Sequence, residues 1–153
     1  MLISEIFGPT LQGEGPSAGQ AAVFVRLGAC NLSCQWCDSA YTWDSSRFDL
    51  GSELRVLPID EVQRQVSAAG SRLVILTGGE PALQATHAAA LAHRLRVAGH
   101  RIEMETSGTV PLGPLIQSVD LIVVSPKLSN SGLRKHQRLR LTHNRGQLNL
   151  PPK

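Results

Sequence analysis

Cysteine is scarce in this chain and so are aromatic residues: three cysteines, two tryptophans, one tyrosine and three phenylalanines among 153 residues. Three cysteines cannot by themselves close a four-ligand zinc site, and an odd number does not suit a disulfide framework. No apolar run approaches the ~20 residues that a membrane span needs. Met1-Leu2-Ile3-Ser4-Glu5 lacks the basic start and sustained apolar stretch of a secretory leader. There is no P-loop, and Gly13-Glu14-Gly15 does not extend into a dinucleotide fingerprint. No Ser-His-Asp or paired-carboxylate arrangement can be assigned. Unpaired, clustered thiols point to a reducing compartment. The expectation is a cytoplasmic protein with no membrane association.

Acidic residues are also missing from one region: none of the 12 lies beyond Asp120. Residues 1–132 hold nine basic and 12 acidic residues, a net of −3, whereas residues 133–153 carry +6 through Arg134, Lys135, Arg138, Arg140, Arg145 and Lys153. The basic pI therefore belongs to the tail. That tail has no aromatic residue on which a base could stack, so direct nucleic-acid binding is not expected.

What is present reads as one α/β domain over 1–132, followed by a tail without clear periodicity. Ala21–Leu27, Leu73–Thr77, Arg101–Thr106 and Leu121–Val124 are short, apolar and rich in β-branched residues, and read as strands. Helices are expected from Ile59 to a stop at Gly70, over Ala82–Ala98, and as a short turn over Pro114–Val119. Residues 39–58 read as a long polar connection. Strands alternating with helices imply a parallel sheet with helices outside. Every candidate strand ends in polar or glycine-rich residues. In such architectures ligand sites gather at the carboxyl ends of the strands.

All three cysteines fall within Cys30-Asn31-Leu32-Ser33-Cys34-Gln35-Trp36-Cys37. A cubane iron–sulfur cluster held by three thiolates would leave one iron open to a non-protein ligand. A zinc site completed by one of His87, His93, His100, His136 or His143 is the bland alternative, although none sits at finger spacing. A Cys34–Cys37 redox dithiol is another, but it would leave Cys30 without a purpose. The glycines of Gly78-Gly79-Glu80-Pro81 would let backbone carbonyls approach a ligand, with Glu80 available for an ammonium group. Arg26 lies on the strand face opposite Val23, Val25 and Leu27. If that face lines a site, its guanidinium needs an anion, and a carboxylate suits it.

A C-x3-C-x2-C run followed by a strand ending in Gly-Gly-Glu-Pro resembles the radical S-adenosylmethionine (SAM) superfamily. Further segments narrow the resemblance: Pro9-Thr10-Leu11-Gln12-Gly13-Glu14-Gly15, Phe24-Val25-Arg26-Leu27, Trp36-Cys37-Asp38, Glu105-Thr106-Ser107-Gly108-Thr109 and Ser125-Pro126-Lys127. Together they are similar to the 7-carboxy-7-deazaguanine synthase family of lyases, which serves queuosine biosynthesis. The similarity covers about residues 1–132. It implies a partial (β/α) barrel and conversion of 6-carboxy-5,6,7,8-tetrahydropterin to 7-carboxy-7-deazaguanine with loss of ammonia. A radical derived from SAM would take the first hydrogen.

Carried over residue by residue, the resemblance makes Cys30, Cys34 and Cys37 the ligands of a [4Fe-4S] cluster. It places Trp36, Cys37, Asp38, Gly79, Ser125, Pro126 and Lys127 at the SAM site, with polar contacts from Glu80 and Glu105. Leu11, Gln12, Gly13, Arg26 and Thr77 would contact the substrate, with Arg26 on its carboxylate. Ser39 stands where the family has a Mg2+-binding threonine and keeps the hard oxygen that Mg2+ prefers. An electron donor such as flavodoxin and a homodimeric state are implied as well. Beyond Gly132 the resemblance stops, so the barrel is expected to lack its last wall. The alternatives in other classes are a different small radical SAM enzyme, such as a glycyl-radical activase, and a non-enzymatic zinc module.

Overall fold

The computed structural model of the chain describes residues 1–133. Expectations for the basic tail beyond Leu133, His136 and His143 included, lie outside the described residues. A six-stranded sheet organises the rest, in the order β3-β1-β2-β4-β5-β6. Its strands are β1 (Leu2–Leu11), β2 (Ala21–Leu27), β3 (Arg55–Val56), β4 (Leu73–Gly78), β5 (Arg101–Thr106) and β6 (Leu121–Val124). The helices are α1 (Leu50–Glu53), α2 (Ile59–Ala69), α3 (Ala85–Val97) and α4 (Leu115–Ser118).

The strands β2, β4, β5 and β6 pair in parallel, as the alternation of elements requires. The first strand is not evident from the sequence pattern. β1 runs antiparallel to both β2 and β3, so the sheet is mixed at this edge. Its register shifts between Ile3 and Glu5 and again between Phe7 and Thr10. Each shift resets the period-two alternation by which a strand is recognised. Residues 39–58 are likewise more than a connection. They hold a one-turn helix at Ala40–Thr42, then α1, then β3.

Alternation along the strands sorts the side chains onto two faces. Val23, Val25 and Leu27 of β2, Val74 and Leu76 of β4, and Ile102 and Met104 of β5 face the helices. They join Val62 and Val66 of α2 and Leu91 and Leu95 of α3 in one core. Burying each such side chain contributes about 1.5–3 kcal/mol. Pro58 precedes α2, Asp60 and Glu61 sit in its positive first turn, and Gly70 ends it at φ 77°. The predicted start of the next helix at Ala82 resolves into a 3-10 turn, Pro81–Gln84, before α3 begins.

The other sheet face is smaller and more polar. Phe7 stacks on Phe24 with ring centroids 5.0 Å apart, beside Ala22, Leu73 and Ile75. Glu103 is fully buried on this face, where it accepts from Ser17 Oγ and pairs with Arg101. This is the inner wall of an open half-barrel. No helix among the described residues is long and apolar enough to cross a membrane.

Candidate functional site

The four parallel strands deliver their carboxyl ends to one side of the sheet, around a cavity of about 280 Å3. The loop after β2 contributes Cys30, Cys34, Trp36, Cys37, Asp38 and Ser39. The strands contribute Arg26, Thr77 and Glu105 from the inner face, and Gly78 and Gly79 from the end of β4. Ser125 and Lys127 close the far side. Most of the residues assigned to the site by motif thus share one chamber, although the sequence separates them by up to a hundred positions.

Close backbone contact holds the cysteine loop in place. Gly79 N–H donates to Leu27 O at 3.0 Å, and Glu80 N–H to Ala29 O at 2.9 Å. A Cβ on Gly79 would lie 2.0 Å from Ala29 O, and one on Gly78 would lie 2.2 Å from Leu27 O. The two glycines therefore let β4 abut the backbone that leads into Cys30. Both glycines also line the cavity, where the sequence expectation placed them. From the other side, Gln35 N–H donates to Ser131 O at 3.1 Å and Trp36 Nε1–H to Asn130 O at 3.3 Å. Leu133 packs with Leu32 and Cys34, so the packing runs one residue past the expected domain end at 132.

Cys30 and Cys34 sit in an environment that disfavours bare thiolates. Burial pushes Cys30 up to about 12, with Glu80 and the two neighbouring cysteines adding in the same direction. Burial also raises Cys34, opposed by the positive charge of Lys127. Cys30 Sγ accepts the N–H of Leu32 at 3.4 Å, and Cys37 Sγ accepts Trp43 Nε1–H at 3.4 Å. Three sulfur donors on one wall, two of them met by N–H groups, suit a thiophilic cationic group. Among the described residues no three His, Cys, Asp or Glu side chains converge on a single ion. Three thiols with no fourth cysteine in the chain are the donor set that a [4Fe-4S] cluster with one open iron would use.

Several sequence expectations need correction. Arg26 already has an internal counter-ion: its Nε donates to Glu5 Oε1 at 2.7 Å, and Tyr41 OH donates to the same oxygen at 2.9 Å. The charge alone does not demand a bound anion. Glu80 does not face the cavity. It is fully buried and accepts from Thr106 Oγ1, Ala82 N–H, Ser107 N–H and Ser107 Oγ. Leu11, the last residue of β1, and Gly13, in the loop after it, are exposed, and Pro126 is exposed between two residues that do line the cavity. Gln12 is buried and reaches the site indirectly: its Nε2 donates to Glu105 Oε1 at 2.9 Å, while Thr77 Oγ1 donates to Glu105 Oε2 at 2.7 Å.

Other residues matter that the sequence did not single out. Glu14 and Trp43 line the cavity, Glu5 and Tyr41 hold Arg26, and Ser107 holds Glu80. Only Glu14 and Ser107 carried a signal, being embedded in the Gln-Gly-Glu-Gly and Glu-Thr-Ser-Gly-Thr segments. The histidines on and just after α3 point to no site: His87 and His93 are exposed on the helix, and His100 Nδ1, in the turn before β5, lies 3.0 Å from Ser71 O.

Comparison with known proteins agrees with this geometry. The 7-carboxy-7-deazaguanine synthase of Pyrobaculum aerophilum is 44% identical over 134 residues, covering 86% of this chain and 57% of that protein. The enzyme of the same name from Bacillus cereus is 38% identical over 135 residues, covering 86% and 55%. The crystal structure of QueE from Escherichia coli superposes with a TM-score of 0.66 at 29% identity, covering 91% of this chain and 67% of that one. The chain spans about half the length of the curated relatives it matches. Residues 25–139 match the Radical SAM superfamily, a stretch that opens within β2, runs through all three cysteines and takes in the rest of the parallel sheet. By this match the chain belongs to the radical SAM superfamily.

Proposed function

We propose that this chain carries the cluster-binding and substrate-binding wall of a 7-carboxy-7-deazaguanine synthase, a lyase of queuosine biosynthesis acting on 6-carboxy-5,6,7,8-tetrahydropterin. One observation carries the reading: Arg26, Thr77 and Glu105, from three adjacent parallel strands, face the same cavity as the three cysteines. A radical superfamily needs only the sulfur wall. The opposing charged wall is what selects a small, polar, carboxylated substrate.

Cys30, Cys34 and Cys37 would hold three irons of a [4Fe-4S] cluster and leave the fourth for SAM. When bound, this pair supplies a carbon radical by one-electron cleavage of the sulfonium, the electron coming from a low-potential donor such as flavodoxin. The remaining work falls to the chain's own groups. Arg26 keeps its terminal amino groups for the substrate carboxylate, because Glu5 engages only Nε. Glu105, aligned by Gln12 and Thr77, offers carboxylate oxygens to ring N–H groups. Trp36, 55% exposed at the rim with Lys127 Nζ 5.4 Å from its ring centroid, offers an apolar surface beside a positive charge to the adenosyl end of SAM.

Ser39 lines the cavity next to Asp38, its hydroxyl 3.7 Å from Cys37 Sγ. Its hard oxygen would suit a Mg2+ ion that kept waters and substrate oxygens as its other ligands, and no step is assigned to that ion.

The test uses anaerobically reconstituted chain. Binding of SAM should perturb the cluster spectrum, and 6-carboxytetrahydropterin should bind more tightly than the same pterin without its carboxylate. Equal affinity for the two pterins would remove the substrate assignment. A colourless protein with stoichiometric zinc would remove the cluster.

A further inference from the structure

The three sulfurs on the cavity wall have different neighbours. Cys30 Sγ accepts a backbone N–H, from Leu32, and Cys34 lies in the field of Lys127. Cys37 Sγ accepts a side-chain donor instead, the Trp43 indole Nε1–H, at 3.4 Å. That donor has no other acceptor among the described residues. The bond spans six positions in sequence and leaves the indole lining the chamber.

Local hydrogen bonding aims the indole. Trp43 closes the one-turn helix Ala40–Thr42, its backbone N–H donating to Ala40 O at 3.0 Å, and Asp44 N–H returns to the same oxygen at 2.8 Å. Thr42 Oγ1 donates to Ser39 O at 2.7 Å. Thr42 O accepts the N–H of Ala29, the residue before Cys30, at 2.8 Å. The turn is thus tied to both ends of the cysteine loop. A half-buried indole N–H needs an acceptor, and here the scaffold presents it with sulfur.

We propose that Trp43 is a positioning and tuning residue for the iron–sulfur cluster, and that through its N–H on Cys37 Sγ it raises the cluster's reduction potential. An N–H directed at a ligating thiolate withdraws negative charge from it. Adding one electron to the cluster makes the sulfur more negative and the bond stronger, so the reduced form gains more than the oxidised form. The electron comes from a low-potential one-electron donor, and no protein bond forms or breaks. The inference rests on the cluster reading of the Cys30–Cys37 loop. It adds a residue outside that loop to the machinery that sets when the electron arrives.

The test is a redox titration of the reconstituted 153-residue chain with dithionite, followed by electron paramagnetic resonance. Trp43→Phe keeps an aromatic ring and deletes the donor. With iron and sulfide content equal to wild type, the variant should show a ratio of reduced to oxidised cluster lowered roughly threefold or more at a fixed potential. That is about 28 mV toward more negative values at 59 mV per tenfold for one electron. An unchanged or higher potential overturns the proposal.

A second measurement needs no variant. Electron–nuclear double resonance on reduced wild-type chain, grown with 15N-indole tryptophan, should show a 15N coupling and an exchangeable proton coupling at the cluster. The Trp36 indole is turned to Asn130 O, so the signal reports Trp43. If Trp43→Phe loads no cluster, this spectrum decides, and absence of both couplings overturns the proposal. A wild-type chain that takes up no cluster sinks both the inference and the reading beneath it. A loaded chain whose potential ignores Trp43 sinks the inference alone.

Discussion

Glu5 Oε1 and Arg26 Nε meet at 2.7 Å across the β1–β2 pair, and the Tyr41 hydroxyl donates to the same carboxylate oxygen at 2.9 Å. The guanidinium also lies over Phe7, 5.4 Å from its ring centroid. A cation on the inner wall of the half-barrel is thereby neutralised and oriented by groups from two other segments, β1 and the turn Ala40–Thr42.

Arg26→Ala should weaken binding of a carboxylated pterin about 10- to 100-fold, the range expected when a charge-assisted hydrogen bond is lost. Cluster absorbance should be unaffected, because no sulfur ligand contacts Arg26. Ligand titration by fluorescence on cluster-loaded chain measures the first quantity. Wild-type affinity in the variant would take Arg26 out of the substrate site.

The chain has one tyrosine, so its titration is readable by absorbance near 295 nm. Burial first, and then the bond to Glu5, push Tyr41 up to about 12 from the usual 10. The folded state therefore holds this proton more tightly than the unfolded state does. Its stabilising contribution is fully present below pH 10 and is lost as pH rises from 10 through about 12. The folded chain should show phenolate absorbance only on approach to pH 12, and denatured chain near pH 10.

Glu80→Ala should destabilise the metal-free chain by about 3 kcal/mol or more in urea unfolding. It removes a fully buried acceptor and strands the Ala82 and Ser107 N–H groups and two hydroxyls. Glu80→Gln, which keeps an acceptor, should cost less. If Glu80 acted only as a ligand contact, both variants would unfold like wild type.

Gly79→Ala sets a Cβ against backbone, 2.0 Å from Ala29 O, and should cost about 3 kcal/mol while lowering iron uptake. Gly13→Ala, with nothing within 4 Å of the added carbon, should change stability by less than about 0.5 kcal/mol. Thermal melts and iron analysis on the two variants compare a position that shapes the cysteine loop with one that does not.

The strands Ala21–Leu27, Arg101–Thr106 and Leu121–Val124 are legible to the residue, because short apolar runs between turn residues carry their own signal. β1 is not. Its two register shifts break the alternation, and its Gly8-Pro9 pair reads as a turn. The cysteine loop announces itself through spacing. The partners of its neighbours do not, since Gln12 meets Glu105 across 93 positions and Thr106 meets Glu80 across 26. Burial also reverses an expectation: Glu80 comes after the glycines as a ligand group would, yet its carboxylate turns inward to cap the turn at Pro81 and to hold Ser107. Periodicity reports which face a strand residue occupies. It says nothing of the donors waiting there.

Leu133 rests on Leu32 and Cys34, and the backbone of Gln35 is pinned to Ser131. The segment that would grip the irons is thus clasped by chain laid down a hundred residues later. During synthesis, these contacts can form only after the later stretch has emerged. Any cluster seated in that loop would then depend for its surroundings on residues beyond β6.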